Sequence, residues 1–219
     1  MRAFALLVTH NGVMKAYFYR DVYFRTSSKP FSLDTTSRNV HLTNDAVQQF
    51  ADDYGKYENA NKLSINDFQR FLSQNFEAQS VSFVRDLLPR MERLVTDSVR
   101  AVALKIDPLR KHNSFEIFGY DFMIESDFQV KLIECNTNPS LEVCSPLLAR
   151  IVPELLDNSF RIALDPLFQP ACLQIMSEDD RKRKKLDQVQ QLKYTLIYDD
   201  LADLEELKKF HEKDFDNNF

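Results

Sequence analysis

Glycine is nearly absent from this sequence: Gly12, Gly55 and Gly119 are the three in 219 residues. That excludes a Gly-rich phosphate loop, of the P-loop or Rossmann kind, which needs several glycines within a few positions to bring backbone amides onto a phosphate. Any nucleotide site here has to rely on charged side chains and a metal ion. Cysteine is equally sparse. Cys135, Cys144 and Cys172 have no zinc-ligand spacing, and their odd number does not make a disulfide framework. A reduced, cytoplasmic setting is therefore expected. Excess positive charge is lacking too: the formal net charge of −5 is not the basic footprint of a nucleic-acid binder. No run approaches the roughly 18 apolar residues of a membrane helix, and the first residues do not form a signal peptide. Neither nucleic acid nor membrane is expected as a partner. What is present is ordinary globular composition, 44% hydrophobic and 28% charged, enough for one sizeable core.

Along the chain, Phe4–Thr9 and Met14–Tyr19 flank His10-Asn11-Gly12. Asn-Gly between apolar runs predicts a β-hairpin, because both residues tolerate positive φ. Val22–Arg25 reads as a third strand, and Thr26–Asn39, rich in Ser, Thr, Pro and Asp, as a loop. Helical periodicity runs from Asp45 to Gly55 and again over Ser64–Gln74, with Ser64 as the cap. The longest helix is expected from Val84 to Ile106, with Pro89 starting or kinking it. Phe115–Glu125 and Gln129–Asn136 read as two strands around a tight turn near Asp127, followed by a helix over Ser145–Ala163. Beyond Pro170 come a charge run (Ser177–Asp187), a short strand (Tyr194–Tyr198) and a charged helix (Asp203–Phe215).

The second hairpin carries the chemistry. If its turn centres on Asp127-Phe128, Asp121 falls opposite Glu134 on one face of the sheet. Asn136, two residues on, shares that face. Two carboxylates so close repel each other and raise one pKa unless a cation intervenes. Two carboxylates and an amide suit Mg²⁺, which takes one or two protein carboxylates and draws the rest of its shell from phosphate and water. On pattern alone a surface hairpin with a wet polar face is an equal reading, and a one-residue slip would turn Asp121 to the other face.

The stretch Gly119-Tyr120-Asp121-Phe122-Met123, followed by Leu132-Ile133-Glu134-Cys135-Asn136-Thr137-Asn138-Pro139, resembles the closing motif of the tubulin tyrosine ligase family. Val40-His41-Leu42-Thr43-Asn44 fits the same family upstream. Arg25-Thr26-Ser27-Ser28 and Tyr54-Gly55-Lys56-Tyr57-Glu58 lean toward the tyrosine ligase itself. The resemblance covers Met1 to Pro170. It implies an α+β fold, the C-terminal half of an ATP-grasp fold, with a mainly antiparallel sheet flanked by helices. It also implies a partial ligase domain over 1–170 and a charged, peripheral tail over 171–219. The implied activity is ATP-dependent addition of an amino acid, tyrosine foremost, to a carboxylate of tubulin through an acyl phosphate. The alternatives are glutamate addition by a polyglutamylase and a non-catalytic tubulin- or microtubule-binding remnant. The implied cofactors are ATP and Mg²⁺, with Asp121, Glu134 and Asn136 on the metal. Arg2 and Arg25 are the implied catalytic residues, and both also meet the phosphates. Thr43, Asn44, Ile133 and Glu134 would line the nucleotide and substrate pocket. Tubulin, through its acidic C-terminal tail, and a free amino acid are the implied partners. The implied location is cytoplasmic and cytoskeleton-associated, with cilia among the candidates.

The residues alone leave some of these roles open. Arg25 could be a surface arginine on an edge strand, and Arg2 could fray at the terminus. Thr43-Asn44 would equally cap a helix starting at Asp45. His41 reads as a packing residue, and Arg181-Lys182-Arg183-Lys184-Lys185 as a solvated face before it reads as a tubulin contact. The family's phosphate-holding lysines and adenine-binding segment have no counterpart after Met1. The expectation is a fragment, weak or inactive alone, because half a nucleotide clamp binds ATP poorly.

Overall fold

A computed structural model describes residues 1–168, 177–178 and 192–216. The chain is α+β, with a mainly antiparallel sheet flanked by helices. β1 (Arg2–His10) and β2 (Val13–Arg25) form the expected hairpin, with Asn11 at φ 49° and Gly12 at φ 83°. These positive values give the turn a twist that matches right-handed strands. From Arg2 to Thr9, β1 is buried at every residue, as in a strand covered on both faces. β2 continues without interruption through Val22–Arg25, the stretch read from the sequence as a separate third strand. Its burial alternates over Val13–Phe18, so inward residues recur every two positions, the period of a pleated strand. Among the described residues the strands run β3-β2-β1-β4-β5, with β3 at Lys62–Leu63, β4 at Ser114–Ile124 and β5 at Val130–Asn136. A sixth strand, β6 (Tyr194–Asp199), also pairs with β2.

The chain divides into two compact units. The first comprises Met1–Ala3, Asp21–Met91 and Gly119–Pro153. In it α1 (Arg38–His41) and α2 (Asp45–Gln48) are single turns. The helix expected to reach Gly55 stops at α2, because Gln48 is fully buried and its side chain is taken by other segments. It accepts the Ser28 N–H at 2.8 Å and donates to the Asn39 carbonyl at 3.1 Å. α3 (Ile65–Asn75) starts where expected: Ser64 and Asp67 form a capping box, which satisfies two otherwise orphaned amides. Phe68 of α3 stacks on Phe24 of β2 at 4.1 Å, with Phe83 edge-on to both rings. The long helix opens as a π turn over Phe83–Leu87 and continues as α4 (Leu88–Ile106), with Pro89, which has no N–H to donate, directly after the π turn.

The second unit comprises Phe4–Arg20, Glu92–Phe118 and Glu154–Phe219. Leu6, Val8 and Ala163 form a core with Tyr17, Ile117 and Tyr194 around it; Ala163 ends α5 (Pro146–Ala163). Tyr194–Asp199 lies in the tail read from the sequence as peripheral. It forms the short strand expected there, pairing antiparallel with Lys15–Tyr19 in the main sheet, and Tyr198 is fully buried. Tyr194 and Tyr198 are the strand's inward residues, while Leu196 is exposed, and the flanking charges obscure this in sequence. α6 (Asp200–Asp216) follows, three residues longer at its start than expected. Asp200 anchors this corner. It accepts from Arg110 (2.9 and 3.3 Å), the Met14 N–H (2.7 Å) and the Tyr198 hydroxyl (2.7 Å). The basic run at 181–185 lies outside the described residues. Among the described residues no helix is long and apolar enough to cross a membrane.

Candidate functional site

The β4–β5 hairpin pairs Asp121 with Glu134 as expected, although its turn centres on Asp127 and not on Asp127-Phe128. Gly119 and Tyr120 pair in step with Asn136 and Cys135. From Phe122 onward the register slips by one, and Phe122 faces Leu132. Ile133 is thus the extra residue of a β-bulge, a feature that bends a strand and re-aims its side chains. The tip turns through Phe128 at φ 64°. It is braced by the Phe76 ring at 5.2 Å and by Arg90, which donates to the Phe128 carbonyl at 3.0 Å.

Two side chains converge on Asp121. Arg2 on β1 donates from Nε to Oδ1 at 2.7 Å and from Nη2 to Oδ2 at 3.2 Å, a bidentate fork. Arg25 at the end of β2 approaches Oδ1 with Nη2 at 2.8 Å. The three side chains are only 9%, 11% and 10% exposed (Arg2, Arg25, Asp121). Burial pushes the Asp121 carboxyl up, but the Arg2 hydrogen bond and the two guanidinium charges outweigh it and hold the group below its ordinary value. Burial likewise works against the Arg2 charge, and Asp121 more than restores it. The Arg25 Nε is buried with no hydrogen-bond partner among the described residues. Neither arginine behaves as the bland reading allowed, since Arg2 is not frayed and Arg25 is not on the surface.

Glu134 and Asn136 are more open. The Asn136 amide donates to Glu134 Oε1 at 3.2 Å, and both groups are accessible. Among the described residues no group of three His, Cys, Asp or Glu side chains has metal-holding geometry. The face offers two carboxylates and an amide, a hard-oxygen set that fits Mg²⁺ when phosphate and water complete the shell. A cation here must share Asp121 with two guanidiniums, whereas Glu134 and Asn136 can turn to it directly. Ile133, at the bulge beside them, is 60% exposed.

Thr43 and Asn44 precede α2. Asn44 occupies the N-cap position, but its side chain makes no capping bond and is exposed. The helix-cap alternative is thus met by backbone position alone, and the amide stays accessible. His41 donates from Nε2 to the Thr35 carbonyl at 2.6 Å and lies edge-on to Phe31, a packing arrangement.

Several residues that hold this region were not singled out from the sequence. Lys62 of β3 has a fully buried side chain paired with Asp45 and donates to the Ala60 carbonyl at 3.0 Å. Lys62 also pairs across the strands with Arg25. Asn61, at φ 53°, accepts the Gly55 N–H at 2.8 Å and donates to the Thr26 carbonyl (3.2 Å) and Ser28 Oγ (2.9 Å). Thr26 in turn donates to Glu58 at 2.9 Å. Asn59-Ala60-Asn61 carries a turn signal that could have marked Asn61. A two-residue strand leaves no periodicity to mark Lys62.

Known proteins bear on the chain as follows. The profile of the tubulin-tyrosine ligase family matches residues 1–172. Tubulin glycylase 3A of Drosophila melanogaster is 31% identical over 173 residues, which is 75% of this chain and 16% of that protein. Protein monoglycylase TTLL8 of Homo sapiens is 28% identical over 163 residues, 73% of this chain and 19% of that protein. Tubulin glycylase 3B of Tetrahymena thermophila is 29% identical over 152 residues, 69% and 13% respectively. The chain thus spans less than a fifth of the length of these relatives. Tyrosine, the amino acid the sequence reading put first, is not supported, because these relatives are named for glycine addition. The match over 1–172 settles the broader question: the chain belongs to the tubulin-tyrosine ligase family.

Proposed function

We propose that this chain carries the magnesium-nucleotide end of an ATP-dependent ligase that adds glycine to a carboxylate of tubulin, acting at the cytoskeleton. The observation that carries the reading is the face on which Arg2, Arg25, Asp121, Glu134 and Asn136 come together. ATP supplies the phosphoryl group that converts an unreactive acceptor carboxylate into an acyl phosphate open to an amine. Glu134 and Asn136, with Asp121 behind them, would hold Mg²⁺ against the phosphates and offset their charge. Arg2 and Arg25 present planar forks suited to a phosphoryl group or a carboxylate, and Asp121 keeps both aimed before substrate arrives. Pre-set charge of this kind costs no reorganisation during reaction. Thr43, Asn44 and Ile133 would line the same pocket. No histidine is required, since the amine nucleophile attacks an already activated acyl group. The names of the relatives favour glycine over tyrosine or glutamate.

The test offers tubulin, Mg-ATP and one labelled amino acid (glycine, tyrosine or glutamate) to the native protein at the length cells make it. Glycine incorporation is expected. Incorporation of tyrosine or glutamate alone would reassign the amino acid, and incorporation of none would remove the ligase reading.

A further inference from the structure

Gly119 sits on β4 two residues before Asp121, with no positive φ to demand glycine. Its requirement is spatial. A methyl group built at this position would lie 2.8 Å from Arg2 Nη1, 3.3 Å from Arg2 Cζ and 2.7 Å from Pro139 Cβ. The Arg2 guanidinium therefore lies directly over the bare Gly119 backbone. We propose that Gly119 is a positioning residue for Arg2: its missing side chain is the slot that lets the guanidinium lie flat and reach both Asp121 oxygens. Asp121 supplies the attraction and Gly119 the room. Any side chain at 119 pushes the fork off the bidentate geometry, and Arg2 then points away from the phosphoryl or carboxylate group it is to meet. This role rests on the ligase reading for its purpose, but the slot itself is a matter of this chain's geometry.

The test follows the Nε–Hε signal of Arg2 by ¹⁵N NMR, assigned by its absence in Arg2→Lys. A salt-bridged, buried guanidinium gives a slowly exchanging signal, expected in the parent chain and lost in Gly119→Ala. A signal that persists in Gly119→Ala overturns the proposal. Because Pro139 also meets the added methyl, the substitution is repeated on Pro139→Gly, where the guanidinium is the remaining obstacle. Loss of the signal there assigns the crowding to Arg2; its return assigns it to Pro139 and overturns the proposal. If Gly119→Ala fails to fold on either background, adding Arg2→Ala to the Gly119→Ala/Pro139→Gly chain is expected to restore folding, and failure to do so also overturns it. None of these readouts needs nucleotide or tubulin, so the ligase reading can fail independently. In an active ligase, Gly119→Ala should lower kcat/KM about 100-fold, the scale of a misplacement near 1 Å.

Discussion

Asp121 draws two guanidiniums whose side chains are 9% and 11% exposed, so its charge cannot be removed quietly. In Asp121→Asn two cations would remain buried without their anion. Breaking such a group costs about 3–5 kcal/mol, and a urea unfolding midpoint should show it. Glu134 is exposed and forms no ion pair with an arginine among the described residues, so Glu134→Gln should change stability by no more than about 0.5 kcal/mol. The contrast separates a residue that holds the site together from one that faces the ligand. Asp200 gives a pH prediction in the second unit. Burial alone would raise its carboxyl, but Arg110, the Met14 N–H and the Tyr198 hydroxyl outweigh it and hold the group low. A depressed folded-state pKa stabilises fully above the unfolded value of about 3.9, and the contribution is lost as pH falls through the lower folded value. Asp200→Asn should therefore be clearly less stable than the parent at pH 7, and the gap should close in titrations well below pH 4. At this scale the sequence was half legible. The alternation and the tight turn placed Asp121, Glu134 and Asn136 on one face. The grip of Arg2 on Asp121, across 119 residues of chain, left no local mark.

The elements were legible where their signals are short-range. Asn11-Gly12 marked the first hairpin because two consecutive positive φ values admit few residues. Ser64 marked the start of α3 because a hydroxyl three residues before a carboxylate is a capping box. Ser64→Ala should cost about 1 kcal/mol in thermal or urea unfolding, and retained stability would show that packing of Phe68 on Phe24 fixes the helix by itself. Where long-range packing decided, sequence reading slipped. α2 ends early because the Gln48 side chain is hydrogen-bonded to the Ser28 and Asn39 backbone. The register of the second hairpin shifts at Ile133 because a bulge has no residue signature of its own.

At the scale of the whole molecule, the family resemblance implied the α+β class, and hydrophobic patterning did not convey the order β3-β2-β1-β4-β5 or the return of β6 onto β2. Those depend on which strands meet across long loops, information that periodicity does not hold. The family match supplies the frame in which the hairpin face is read, and the names of the relatives are the ground for proposing glycine in place of tyrosine. The most direct measurement is Mg-ATP binding by calorimetry, on the native protein and its Glu134→Gln and Asn136→Ala variants. An outer-shell partner of a metal typically costs ~10–100-fold in affinity when removed, and a direct ligand should cost no less. Binding weakened by about tenfold or more in both variants, with unfolding midpoints unchanged, is the predicted result. Variants that bind Mg-ATP as the parent does would contradict the assignment of this face to the metal.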